Sequence, residues 1–165
     1  LHKGWGYGKF LLGHERTGIA GIGSCKQQLA RARQVAQQQG LGDDPLLQAR
    51  LAQFEVELMA LEFTALRLLS AHQQSKTPAV EASMLKVRGT ELRQAIFETL
   101  VEIAGPDAVP FSLEAQCLEG LDLAPQEASL AALAANCLDS RKVTIYGGTS
   151  EVQRNLIARA TLDAY

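Results

Sequence analysis

The sequence predicts an all-α fold: an up-and-down four-helix bundle with an additional C-terminal helix. Two observations carry the helical part. Apolar residues step by three and four over long stretches, and β-branched runs of alternating polarity are nearly absent. Short breaks marked by glycine and proline then make successive long helices antiparallel neighbours. With 165 residues the chain is one domain, or one piece of a larger chain, and can bury a sizeable core.

The first helix is expected from about Glu15 to Gln39, closed by Gly40, with Ile19, Ile22, Leu29 and Ala36 on its inner side. Asp43 and Asp44 ahead of Pro45 form an acidic N-cap with proline at the first helical position. From there Leu47, Leu51, Phe54, Leu58, Leu61, Ala65 and Leu68 trace one apolar face, in a helix running to about Ser75. After the break at Thr77-Pro78 a second long stripe follows: Val80, Met84, Val87, Leu92, Ile96, Thr99 and Ile103, interrupted by the polar Glu91. Gly105-Pro106 stops it. Between Pro106 and Pro125 the pattern weakens to a loop with a short helix around 113–119. Gln126 to Tyr146 is helical again, with a bend near Asp139-Ser140, and Ser150 to Ala164 is the last helix.

A formal net charge of −2, with bases and acids intermixed, gives no electrostatic footprint for nucleic acid. No apolar run approaches the ~18 residues of a membrane span, and no signal-peptide pattern is present. Cys25, Cys117 and Cys137 are far apart, which suits buried thiols in a reducing, cytoplasmic setting better than disulfides. His2, His14 and His72 lack ligand-like spacing, so no metal is expected. The opening residues LHKGWGYGKF, with no initiating methionine, suggest a fragment.

The most chemically explicit stretch is IYGGTSEVQRN, residues Ile145 to Asn155. Gly147 and Gly148 would each cost about 1 kcal/mol in a helix interior and instead permit positive φ or close backbone approach. Ser150 with Gln153 fits a capping box, with Thr149 as the competing cap. Either way a helix N-terminus opens from a glycine turn, and its free N–H groups can hold an anion. The same pattern also fits a plain helix–turn–helix corner.

IYGGTSEVQRNLIA closely resembles the C-terminal signature of the flavin-dependent acyl-CoA dehydrogenases: tyrosine, a variable residue, Gly-Thr-Ser, two residues, Gln-Arg. KFLLGHERTGIAGIG is similar to the entry into the first helix of that family's C-terminal domain, and the helical plan between the two agrees. The resemblance covers essentially the whole chain but only the C-terminal third of a family member. It implies that residues 1–165 are the C-terminal helical domain, with the N-terminal helical domain and the central β-domain missing.

The resemblance further implies FAD as cofactor and an acyl-CoA thioester as substrate, oxidised to the trans-2-enoyl-CoA. A carboxylate removes the α-proton while a hydride leaves the β-carbon. Many members carry that carboxylate directly after the motif tyrosine, where this chain has Gly147. Others place it in a Glu-Arg pair on the first helix, which Glu15-Arg16 matches. Glycine at 147 then leaves room, because two glutamates aimed at one α-carbon would perturb each other's pKa. Glu15 is thus the candidate base; the alternative is a first-turn acid that only stabilises the helix dipole. Arg16 lies ~100° further round a helix, which suits packing or a substrate-phosphate contact. Gly148, Thr149 and Ser150 match flavin-binding positions near its ADP portion, Tyr146 and Gly147 substrate-binding ones, and Glu151 and Arg154 surface or interface positions.

The chain also departs from the family. An Arg-x-x-Phe-Gly segment that reaches a neighbouring subunit's flavin is replaced by QQQGLGDDPLL, and a Gln-x-x-Gly-Gly motif by SLAALAANCLDSRK. Such losses resemble the bacterial branch in which two unlike subunits share flavin sites. GWGYGK lacks phosphate-loop spacing; Trp5, Tyr7 and Phe10 either border the acyl pocket or pack the entry to the bundle. The resemblance implies a homo- or hetero-oligomer built through the bundle, which exposed apolar helix faces would drive. The alternative to the enzyme is a structural or partner-subunit bundle with a degenerate flavin site.

Overall fold

The computed structural model describes residues 3–8, 18, 20–73, 79–109, 130 and 132–162. Among these there are helices and no strand: α1 (Ile22–Gln38), α2 (Pro45–Gln73), α3 (Ala79–Ala104), α4 (Leu133–Asp139) and α5 (Ser150–Leu162). Short 3-10 helices, Gly105–Ala108 and Ser140–Thr144, follow α3 and α4. A helical turn lies at 4–8.

Ion pairs between helices record the topology. Lys26–Glu62 and Arg33–Glu55 join α1 to α2 with opposed numbering, so the two run antiparallel. Arg88–Glu57 and Arg50–Glu102 do the same for α2 and α3. Arg141–Glu98, followed by the Lys86 ammonium donating to the Thr144 carbonyl at 2.9 Å, sets the segment after α4 antiparallel to α3. Lys86–Ser150 and Arg154–Glu91 then rise together, so α5 returns along α3 in its own direction. Each exposed pair is worth about 0–1 kcal/mol, so these pairs set register more than stability. The outcome is the expected all-α up-and-down bundle with its additional C-terminal helix.

α2 follows the sequence closely. The Asp44 carboxylate accepts a hydrogen bond from the Leu46 N–H at 2.9 Å, and Pro45 opens the helix. Leu51, Leu58, Leu61 and Leu68 are buried, with Phe54 and Ala65 packed beside them. α3 is the central element, in contact with α1, α2, α4 and α5. Such a helix is buried nearly all round. Leu85, Leu92, Ile96, Phe97 and Leu100 lie in the core, and so do Ser83, Lys86 and Thr90. Met84, expected on the inner stripe, is 42% exposed, at the seam between α3 and α2. Midway along α3, Gly89 lets the Ala20 backbone approach: a Cβ there would stand 2.7 Å from the Ala20 Cα and oxygen.

Two expected boundaries change. α1 begins at Ile22, not Glu15, because Gly21 adopts φ 62° and Ala20 sits in a turn. The helix foreseen from Gln126 is interrupted: Leu130 is helical, but Ala132 adopts φ 67° and α4 begins after it at Leu133. It passes at Ser140, as expected, into a 3-10 turn, where the Ser140 hydroxyl donates back to the Cys137 carbonyl at 2.6 Å. The short helix foreseen around 113–119 lies outside the described residues.

Cys25 is buried, and burial raises its thiol to about 11, which suits packing and not nucleophilic chemistry. Burial also raises the Cys137 thiol, while Cys117 lies outside the described residues. Trp5 and Tyr7 are largely exposed; Phe10 lies outside the described residues. Among the described residues no group of acids, histidines or cysteines could hold a metal, and no helix is long and apolar enough to cross a membrane.

Candidate functional site

The corner between the second 3-10 helix and α5 is set by Gly147 (φ 66°) and Gly148 (φ 90°), conformations that L-residues enter only with strain. The chain leaves the corner through Thr149, whose carbonyl accepts the first α5 hydrogen bond, from the Gln153 N–H at 3.0 Å. The Thr149 hydroxyl accepts from the Val152 N–H at 3.3 Å. Thr149 is therefore the N-cap, and the capping box of Ser150 with Gln153 does not form. Ser150 is instead the first helical residue and turns its hydroxyl into the protein.

There it meets Lys86, which is fully buried. The ammonium donates to the Thr144 carbonyl at 2.9 Å and to the Ser150 hydroxyl at 3.5 Å. One side chain of α3 thus clasps both ends of the Ile145–Thr149 corner. Burial lowers the Lys86 pKa, and the nearby Glu151 carboxylate acts against that shift. The cation adds to the positive end of the α5 dipole.

Gln153 completes the corner. Its side chain is fully buried, and neither Nε2 nor Oε1 has a hydrogen-bond partner among the described residues. The amide lies against Gly148, inside the space a Cβ at that position would take. Buried amides with both ends unpaired are rare, since each orphan costs about 1–3 kcal/mol. Glu151, fully exposed, folds back over the same N-terminus. Its carboxyl is held below the usual range by a hydrogen bond from its own backbone N–H and then by one from the Thr149 hydroxyl. An exposed carboxylate already occupies the position where an anion would sit.

The structure thus gathers Tyr146, Gly147, Gly148, Thr149 and Ser150 into one corner, with Tyr146 partly exposed. Arg154 is a surface residue, paired to Glu91. Glu15 and Arg16 lie outside the described residues. Sequence reasoning missed Lys86 and saw Gln153 only as a cap. The available signal for Lys86 was a cation between Leu85 and Val87 in a helix apolar on nearly every side.

Comparison with known proteins follows this geometry. The family model described as "Acyl-CoA dehydrogenase, C-terminal domain" matches residues 2–162. The acyl-CoA dehydrogenase IpdE1 of Mycolicibacterium smegmatis is 27% identical, across 96% of this chain and 36% of its own length. An acyl-CoA dehydrogenase from Geobacillus kaustophilus superposes with a TM-score of 0.74 at 21% identity, over 96% of this chain and 39% of its own, a likeness of fold. The ChsE4-ChsE5 complex from Mycobacterium tuberculosis gives a TM-score of 0.68 at 28% identity, over 97% of this chain and 40% of the matched one. The chain spans about two fifths of the length of these relatives. With almost every residue matched by the family model, the chain belongs to the acyl-CoA dehydrogenase family and forms its C-terminal domain.

Proposed function

We propose that this chain is the C-terminal helical domain of an FAD-dependent acyl-CoA dehydrogenase, supplying the catalytic base, part of the flavin site and the oligomer core. The observation that carries the reading is the orphaned, buried Gln153 amide against Gly148, at the α5 N-terminus above Lys86. This corner fits the phosphate-bearing part of a flavin dinucleotide. The amide offers a donor and an acceptor, the first α5 N–H groups a dipole end, and Lys86 a fixed charge. Gly148, Thr149 and Ser150 would hold the cofactor there, and an incoming phosphate would displace the exposed Glu151 carboxylate. FAD, when bound, accepts the hydride leaving the β-carbon.

The remaining work belongs to side chains of this chain. Glu15 takes the α-proton of the thioester, which requires a carboxylate within hydrogen-bond reach in a site that excludes water. Arg16 and Tyr146 contact substrate, and Gly147 leaves the α-carbon open to Glu15. Other domains of the parent complete the pocket, so the isolated domain is inactive. Two relatives are described as complexes of named pairs, ChsE4-ChsE5 and Tcur3481-Tcur3483, which supports assembly of the parent through the bundle.

The test is Glu15→Gln in the full-length protein, purified with any partner it requires. A yellow protein whose acyl-CoA turnover collapses while its flavin stays bound supports the reading. Full turnover in the variant removes Glu15 as base. A colourless, inactive wild-type protein supports instead a structural bundle with a degenerate flavin site.

A further inference from the structure

The corner Ile145–Thr149 joins the two halves of the proposed site: Tyr146 and Gly147 on the substrate side, Gly148 and Thr149, with Ser150, on the flavin side. Its own backbone does little to fix its shape. The Ile145 and Tyr146 N–H groups both donate to the Lys142 carbonyl, at 2.9 and 3.2 Å, and α5 closes its first turn with the Gln153 N–H on the Thr149 carbonyl. Between these, the N–H groups of Gly147 and Gly148 make no backbone hydrogen bond among the described residues, and both glycines are left-handed. Glycine has the most backbone freedom to lose, so two in succession are the easiest part of the chain to loosen.

α3 supplies the restraint. Partly exposed side chains hold the flanks: the Gln94 amide donates to the Ser140 carbonyl at 3.1 Å, and Glu91 pairs with Arg154. The corner itself is held from inside by Lys86. Its ammonium reaches the Thr144 carbonyl at one end and the Ser150 hydroxyl at the other, and it enters no ion pair among the described residues. A buried cation without a carboxylate costs stability that an apolar side chain of the same volume would not. What the apolar side chain lacks is the two-ended grip.

We propose that Lys86 is a positioning residue that preorganises the corner as one piece, so that its substrate half and its flavin half stand in a fixed relation before either ligand arrives. This deepens the function proposed above and rests on it. A charge alone acts on an anionic ligand; a grip on both ends also serves a neutral ligand at the substrate half. Without the grip, the corner is ordered by whichever ligand binds first. The second ligand then finds the ordering done, and the two become more cooperative.

The test measures equilibrium binding of an S-alkyl pantetheine thioether to the full-length protein, with and without FAD. This probe is neutral and has no thioester to react. Lys86→Met keeps the side-chain volume and removes the grip, with circular dichroism confirming the fold. In the flavin-free protein the variant should bind the probe about tenfold more weakly, the cost of ordering about one backbone residue. Saturating FAD should then raise probe affinity about threefold or more beyond any rise it causes in the wild type. Ser150→Ala releases one end of the grip from the far side of the two glycines. It should shift both measurements in the same direction by a smaller factor, and it keeps the test decisive where Lys86→Met fails to fold. Unchanged probe affinity in either folded variant, or an equal effect of FAD in variant and wild type, overturns the inference and leaves the proposed function standing. A wild-type protein that does not bind the probe, with or without FAD, overturns the substrate half of that function and this inference with it.

Discussion

Replacing Gln153 by methionine separates a functional amide from a structural one. Methionine is unbranched, of similar length, and has no strong donor or acceptor. In the wild type Nε2 and Oε1 are both buried without partners among the described residues. Each orphan costs about 1–3 kcal/mol, and a shape-conserving swap costs less than about 1.5 kcal/mol in packing. Relief of the orphans therefore outweighs the packing loss, and the flavin-free full-length protein should gain about 1–2 kcal/mol of stability. The flavin-bound form should behave oppositely. Losing hydrogen bonds to a charged ligand removes about 1.5–3 kcal/mol, roughly ten- to a hundredfold in affinity. Urea denaturation of the flavin-stripped protein measures the first effect, and FAD titration by fluorescence quenching the second. A flavin-free variant destabilised by more than about 1 kcal/mol means that the amide has partners in the folded chain. An unchanged FAD affinity means that it does not serve the ligand. Higher stability bought by lower affinity is the mark of a site residue.

Gly89→Ala should destabilise the protein by about 0–2 kcal/mol: a contact of 2.7 Å with the Ala20 backbone costs about 1–3 kcal/mol, against about 1 kcal/mol gained in helix propensity. A urea midpoint raised by the full helix-propensity gain would refute that close approach. Lys86→Met removes a fixed charge from beneath the α5 N-terminus. At about 10 Å and an effective dielectric of ~20 that charge contributes ~1–2 kcal/mol, so FAD should bind roughly tenfold more weakly. Because burial lowers the Lys86 pKa, the unfolded chain binds the proton more readily, and wild-type stability should rise with pH through the window between the lowered value and 10.5. The variant should lack that rise, and a matching pH slope in both proteins would refute the linkage.

The legible parts of this fold are those whose causes are local. The start of α2 lies in one aspartate and one proline, and its buried face in a single repeating step. α3 was harder for a physical reason: a helix packed on every side has no one stripe, so counting along Val80, Met84 and Val87 assigned Met84 inward and overlooked Lys86. The left-handed turn at Ala132 carries no signal, since alanine is not a turn former. At the corner the two glycines and the cap were visible, but the side chains packed beneath them were not. The Lys86 contact joins residues 58 positions apart, and the Gln153 amide is orphaned only once tertiary packing has enclosed it. Local rules offered Gln153 a capping role that Thr149 had already filled.

The same corner constrains where the catalytic acid can stand. Many relatives in the resemblance carry a glutamate where this chain has Gly147, so returning one there is the direct challenge to Glu15. The backbone at 147 is left-handed, at φ 66°, and a side chain costs about 1–2 kcal/mol in that conformation. Two residues on, Thr149 caps α5, and Lys86 holds the carbonyl of Thr144 on one side and Ser150 on the other, so the corner cannot relax without releasing the clasp. In a Glu15→Gln background, Gly147→Glu should therefore lower stability by about 1–2 kcal/mol and restore little turnover, although the new carboxylate follows the motif tyrosine directly. Urea denaturation and acyl-CoA turnover of the double variant measure the two effects. Full turnover without loss of stability would mean that the corner tolerates an acid freely, and that glycine at 147 is not tied to the position of the base.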